Sequence, residues 1–254
     1  MRKFLAAAIG LAALGTAAPA SAADVSAIPY ARAHTYIPAL YDWSGFYFGA
    51  NGGYGTARSC WDQVATTTGT FIGSEGCHNA TGGVAGGQLG YRVQAGGLMF
   101  GLEAQGDWAN LRGANVSQLS PTQTNRTSID SFALFTGQVG YAWNNALFYV
   151  KGGAALIDDK YEVRSIPSNT LVATSNTDYG RWGGTAGVGL EYGFAADWSA
   201  AIEYDRLFMQ NRLTSFATVP ASAVPFGAYR TRSDVDVVTV RVNYRWGGPL
   251  IGKY

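Results

Sequence analysis

The residues able to do chemistry are few and scattered. The soft-ligand set is two histidines, His34 and His78, and two cysteines, Cys60 and Cys77. A structural metal site needs a larger cluster of such ligands, and the chain has no second Cys or His cluster to complete one. Nucleophilic hydrolysis needs a serine or cysteine next to a base. No Gly-x-Ser-x-Gly elbow occurs, and the many serines of the polar segments have His78 as their one neighbouring imidazole. No Gly-x-x-x-x-Gly-Lys-Ser/Thr loop is present either, and pairs such as Gly82-Gly83 and Gly86-Gly87 suit tight packing inside strands. A lone His78 as haem ligand is a weaker reading than a surface histidine. No catalytic residue, metal site or cofactor is therefore expected, and the chain does not read as an enzyme.

What the titratable residues offer instead is a pattern. Arg92, Lys151, Arg181, Arg241 and Arg245, with Glu103, Asp107, Glu191, Glu203 and Asp205, sit at every second position of segments whose other positions are apolar. Around Arg241, for example, Val238, Val240, Val242, Tyr244 and Trp246 fall on one face, and Thr239, Arg241, Asn243 and Arg245 on the other. The stretch from Trp43 to Gly55 alternates likewise. Phe46, Phe48, Ala50, Gly52 and Tyr54 oppose Tyr47, Gly49, Asn51, Gly53 and Gly55. Eight segments of this kind follow one another, near 43–55, 83–94, 98–108, 131–142, 147–156, 180–194, 198–206 and 235–246.

Connections between them alternate in length. Short turns such as Ala95-Gly96-Gly97, Trp143-Asn144-Asn145 and Ala195-Ala196-Asp197 alternate with long polar segments at 58–80, 110–129, 158–178 and 207–234. A soluble sandwich gives no reason for that regularity. A transmembrane barrel does, with tight turns at one rim, long loops at the other and apolar side chains facing lipid. The tryptophans Trp43, Trp108, Trp143, Trp182, Trp198 and Trp246 gather near segment ends, where aromatic girdles lie. The predicted fold is thus all-β: an eight-stranded antiparallel transmembrane β-barrel with short periplasmic turns and long extracellular loops. Eight strands leave an interior barely wide enough for side chains. The ten charged residues named above, five of each sign, are therefore expected to form a salt-bridged network filling the lumen.

Composition agrees with export. Arg2 and Lys3 precede an apolar run, and Ala20-Ser21-Ala22 is a small-residue cleavage site, so 1–22 reads as a signal peptide. The run is too short to span a membrane as a helix. Residues 23–42, with Pro29 and Pro38, read as a periplasmic leader that either stays free or tucks into the barrel mouth, and 43–254 as the barrel. Losing the signal takes two of the 18 Lys and Arg, against 17 Asp and Glu, so no basic excess remains to bind nucleic acid. Cys60 and Cys77, exported together in one polar segment, are expected to form a disulfide contributing about 3 kcal/mol.

The segments Trp43–Gly55, Val139-Gly-Tyr-Ala142, Lys151-Gly-Gly153, Gly187-Val-Gly-Leu-Glu-Tyr-Gly193, Glu203-Tyr204 and Val242-Asn-Tyr-Arg-Trp246 resemble the small outer-membrane β-barrel proteins of alphaproteobacteria, relatives of the 25- and 31-kDa surface proteins of brucellae and rhizobia. The resemblance spans nearly the whole mature chain but not the loops. It implies an outer-membrane location, structural support of the envelope, surface exposure as an antigen and, in some members, binding of haem or host molecules. It carries no catalytic residues. The expected partners are outer-membrane lipid and lipopolysaccharide, the barrel assembly machinery and an extracellular ligand held by the loops. The alternative reading is a narrow, porin-like pore lined by Arg92, Lys151, Arg241, Glu103, Asp107 and Glu203.

Overall fold

The computed structural model describes residues 41–65, 68–175, 180–219 and 227–246. The signal segment 1–22 and the leader up to residue 40 lie outside the described residues, as does the tail after Trp246.

Ten strands are formed: β1 (Gly45–Val64), β2 (Phe71–Ala95), β3 (Leu98–Val116), β4 (Gln123–Trp143), β5 (Ala146–Ser165), β6 (Leu171–Ser175), β7 (Arg181–Ala195), β8 (Trp198–Met209), β9 (Arg212–Thr218) and β10 (Gly227–Trp246). All pair antiparallel. In the half bearing the short turns, the ring runs β1-β2-β3-β4-β5-β7-β8-β10 and closes where Phe46 faces Trp246. In the other half, β6 and β9 replace β7 and β8, pairing with β5, with each other and with β10. The barrel is therefore eight strands around at both levels. Two of its walls are each built from two successive strands.

The long polar segments are a correction to the sequence reading. Most of 58–80, 110–129, 158–178 and 207–234 is strand, not loop, and it extends the barrel well beyond the lipid-facing band. The reason is a change of surroundings. In the first half, aromatic and aliphatic side chains such as Phe48, Leu102, Phe135 and Val240 point outward and polar ones inward. Further along the same strands, Ala57, Ala80, Leu111, Ile129 and Val235 are buried inside, while Arg58, Asn79, Arg112 and Arg232 are exposed outside. Lipid surrounds the first half and water the second, so the hydrophobic phase inverts between them.

At the turn end the hairpins are tight. Gly96 and Asn144 take φ of 64° and 56°, the left-handed conformation such turns need. Some inward positions admit only glycine because tyrosine rings lie across them. A Cβ on Gly189 would meet the Tyr149 ring at 2.3 Å, and one on Gly90 the Tyr47 hydroxyl at 2.5 Å. Gly189→Ala is expected to cost about 1–3 kcal/mol through overpacking, read as a lower urea midpoint of the lipid-embedded barrel. An unchanged midpoint would mean that the ring moves aside freely.

Candidate functional site

The interior is filled in layers. At the turn end, Tyr41 and Trp43 enter the mouth and pack with Met99, Leu147 and Tyr149. The Trp43 amide donates to Gln94 Oε1 at 3.0 Å. Trp43 is only 3% exposed, so it is not part of a lipid-facing girdle. It precedes β1 and turns inward before the alternation starts. Trp108, Trp143, Trp182, Trp198 and Trp246 are exposed on the outside. Arg245 is also displaced from its expected place. It occupies the last inward position of β10 and reaches the rim, where it pairs with Asp197 at 3.1 Å and Asp42 at 3.6 Å.

Beneath this cork lies the charged layer. Arg92 pairs with Glu191 at 2.8 Å, donates to Gln138 at 3.1 Å, and stacks over the Tyr47 ring at 4.2 Å. Glu191 also accepts from Ser199 and from Asn243, the latter at 2.8 Å. One step further in, Lys151 crosses the lumen to Glu203 at 2.7 Å, Asp205 at 3.2 Å and Glu103 at 3.5 Å. Arg241 holds Glu103 at 2.9 Å and also Glu203. Two phenols complete these carboxylates: Tyr47 donates to Glu103 and Tyr149 to Glu203, both at 2.6 Å. The side chains of Lys151, Arg241, Glu103 and Glu203 are fully enclosed. Asp107 stands at the edge of this group. It accepts from Gln105 at 2.8 Å and has no cation partner among the described residues.

Arg181 does not join that layer. It pairs with Asp159 at 2.8 Å, on the far side of an apolar seal of Val84, Leu111, Ile129, Phe132, Ile157, Leu207 and neighbours. Asp159 lies in a segment whose sequence reads as loop, so parity does not place it inward. The polar partners Tyr47, Tyr149, Gln88, Gln105, Gln138 and Asn243 are legible by parity alone, since each shares a face with a charged residue. Above Arg181 and Asp159 an aromatic cluster of Trp61, Tyr161, Phe216 and Tyr229 closes the distal end. Cys60 and Cys77, opposite each other on β1 and β2, form a disulfide on the outer wall beside it.

Between the cork and the charged layer, a void of about 10 Å³ bordered by Tyr41, Tyr47, Arg92 and Glu191 holds one water at most. The buried charges are held by each other, and an apolar cluster of Val84, Leu111, Ile129, Phe132, Leu134, Ile157 and Leu207 packs beyond them.

Among solved structures, the outer membrane protease OmpT of Escherichia coli aligns with a TM-score of 0.51 at 8% identity, over 80% of this chain and 97% of that one. OprG of Pseudomonas aeruginosa aligns at 0.49 and 14% identity, over 82% and 99%. Outer Membrane Protein W of E. coli aligns at 0.38 and 16% identity, over 82% and 100%. Likeness at such identities concerns fold alone. No curated protein sequence matches the chain. The family model described as the outer membrane protein beta-barrel domain matches residues 6–246, and the chain belongs to that family of bacterial outer-membrane barrels.

Proposed function

We propose that this barrel is a closed, non-catalytic envelope protein. It would support the outer membrane and present its distal end outside the cell. The observation that carries the reading is the stacked filling of the lumen, above all the apolar seal in which Leu111, Ile129, Leu134, Ile157 and Leu207 are at most 1% exposed. An ion crossing it would shed its hydration with nothing in exchange. The network of Arg92, Glu103, Lys151, Glu191, Glu203, Asp205 and Arg241 then acts as a rigid brace between opposite walls. The partners suited to this role are lipid and lipopolysaccharide around the wall and a surface ligand at the distal end. The resemblance to the alphaproteobacterial surface proteins supports a surface-exposed role of this kind.

Single-channel recording of the refolded protein in a planar bilayer tests the reading. No conductance steps above background are expected. Stable, reproducible steps would overturn the closed barrel and turn Arg241 and Glu103 into selectivity residues, to be tested by charge reversal.

A further inference from the structure

The distal core holds a buried imidazole that the brace does not use. His78, on β2, is 8% exposed and faces inward. Its Nδ1 lies 2.7 Å from Asn115 Oδ1, and its Nε2 2.9 Å from Thr127 Oγ1. The Asn115 amide nitrogen already donates to the carbonyls of Glu75 and Val116, both at 2.8 Å. Its oxygen is therefore the acceptor, Nδ1 carries the hydrogen, and Nε2 is left to accept from the Thr127 hydroxyl. From Thr127 a chain of polar groups continues inward. Trp61 Nε1 reaches Ser59 at 3.2 Å and Thr127 at 3.3 Å, Ser233 reaches Ser59 at 3.3 Å, and Tyr161 donates to Asp159 at 2.8 Å.

We propose that this site is a proton-sensitive latch: protonation of His78 reverses the donor order of the chain and loosens the distal end of the barrel. A second hydrogen on Nε2 takes from Thr127 the acceptor of its own hydroxyl hydrogen. That hydrogen is then confined to Ser59 Oγ, already 3.2 Å from Thr127 Oγ1, where it competes with the Trp61 indole and the Ser233 hydroxyl for one oxygen. Among the described residues, no free counter-ion faces the ring. On its own strand, the Glu75 carboxylate is engaged by Ser117 and by Asn125 at 3.3 Å. Across the lumen, Asp159 on β5 is held by Arg181 of β7 and by Tyr161. On β1, β3 and β4 the nearby charged groups Arg58, Asp62, Arg112, Arg126 and Asp130 occupy outward positions. Tyr161 and Tyr229 are pushed up to about 12, chiefly by burial, and stay protonated. Burial likewise holds the His78 imidazole below its ordinary value, against the opposing pull of Asn115.

The sign follows from linkage. An opened, hydrated His78 binds a proton as pH falls through about 6.5, while the enclosed ring still refuses it. The open form then holds more protons, so opening is favoured as pH falls below that value. Above it the latch is intact. The inference rests on reading this end as the outer one, where the medium sets the pH.

The test is amide hydrogen exchange of the nanodisc-embedded protein between pH 7.5 and 5, corrected for the intrinsic pH dependence of exchange. The opening constant of the distal parts of β1–β4 is expected to rise up to about tenfold per pH unit below about 6.5, with the lipid-facing half unaffected. His78→Gln keeps one donor and one acceptor without titrating, and should make the profile flat. A flat profile in the wild type, or an equally steep one in His78→Gln, overturns the latch. Should His78→Gln fail to fold, Glu75→Gln serves instead: a retained slope supports His78 and a lost one overturns it. Labelling of Thr68→Cys on intact cells by a membrane-impermeant maleimide reports orientation separately and leaves the exchange result standing.

Discussion

Arg241→Ala is expected to lower barrel stability by about 3–5 kcal/mol, the usual effect of stripping a partner from a buried ion cluster. Its guanidinium is 0% exposed and serves two carboxylates at once, Glu103 and Glu203. Without it, Lys151 alone would face Glu103, Glu203 and Asp205. Excess negative charge would then sit in a space closed to water by the cork on one side and the apolar seal on the other. Because the cluster is enclosed, the loss should be nearly independent of salt, unlike that of an exposed pair such as Lys160 with Asp130. Urea unfolding in lipid vesicles, followed by gel mobility, measures it. The combination Arg241→Met, Glu103→Gln and Glu203→Gln removes the uncompensated charge and should recover most of the loss. An unchanged midpoint for Arg241→Ala would mean that the carboxylates are balanced by something other than this guanidinium.

The lipid-embedded half was legible because one rule governs all of it. Period two with apolar residues outward places Glu103, Lys151, Glu203, Asp205 and Arg241 on one inner surface, and Lys151 and Arg241 are long enough to cross a narrow lumen. The distal half hid for two physical reasons. First, the phase inverts within single strands. Val237 is 1% exposed and the adjacent Val238 46%, and Leu134 at 1% is followed by Phe135 at 51%. A window spanning such a pair averages to no period at all and reads as loop. Second, register shifts between Trp108 and Leu111 and between Ile129 and Ser131 break the parity count where the phase changes. Trp43 misled for another reason: an aromatic next to a strand end suits a girdle and a cork equally well. Only the neighbours Met99, Leu147 and Tyr149, brought together by closure of the ring, decide between them.

Two cores stacked along one barrel need not melt together, and Trp61→Ala should separate them. The Trp61 side chain is 0% exposed. It packs against Tyr161, Phe216 and Tyr229 with ring centroids 5.2, 5.4 and 6.0 Å away. Its removal should cost about 3–5 kcal/mol, as for other buried large aromatics. That cost should fall on the distal end alone. Among the described residues, Tyr161, Val163, Ala173, Phe216 and Tyr229 share its cluster, while the apolar seal and the ion brace below make no use of it. Short β6 and β9, with three register pairs between them, also give the distal wall on that side little backbone pairing to fall back on. The Cys60–Cys77 disulfide would keep β1 and β2 joined while the opposite wall opens. Limited proteolysis should therefore cut the variant in the distal parts of β5 to β10 and leave a protected lipid-embedded core with the urea midpoint of the wild type. A single shifted midpoint, with no separate distal transition, would show instead that the strands carry cooperativity along their whole length and that the two cores fold as one.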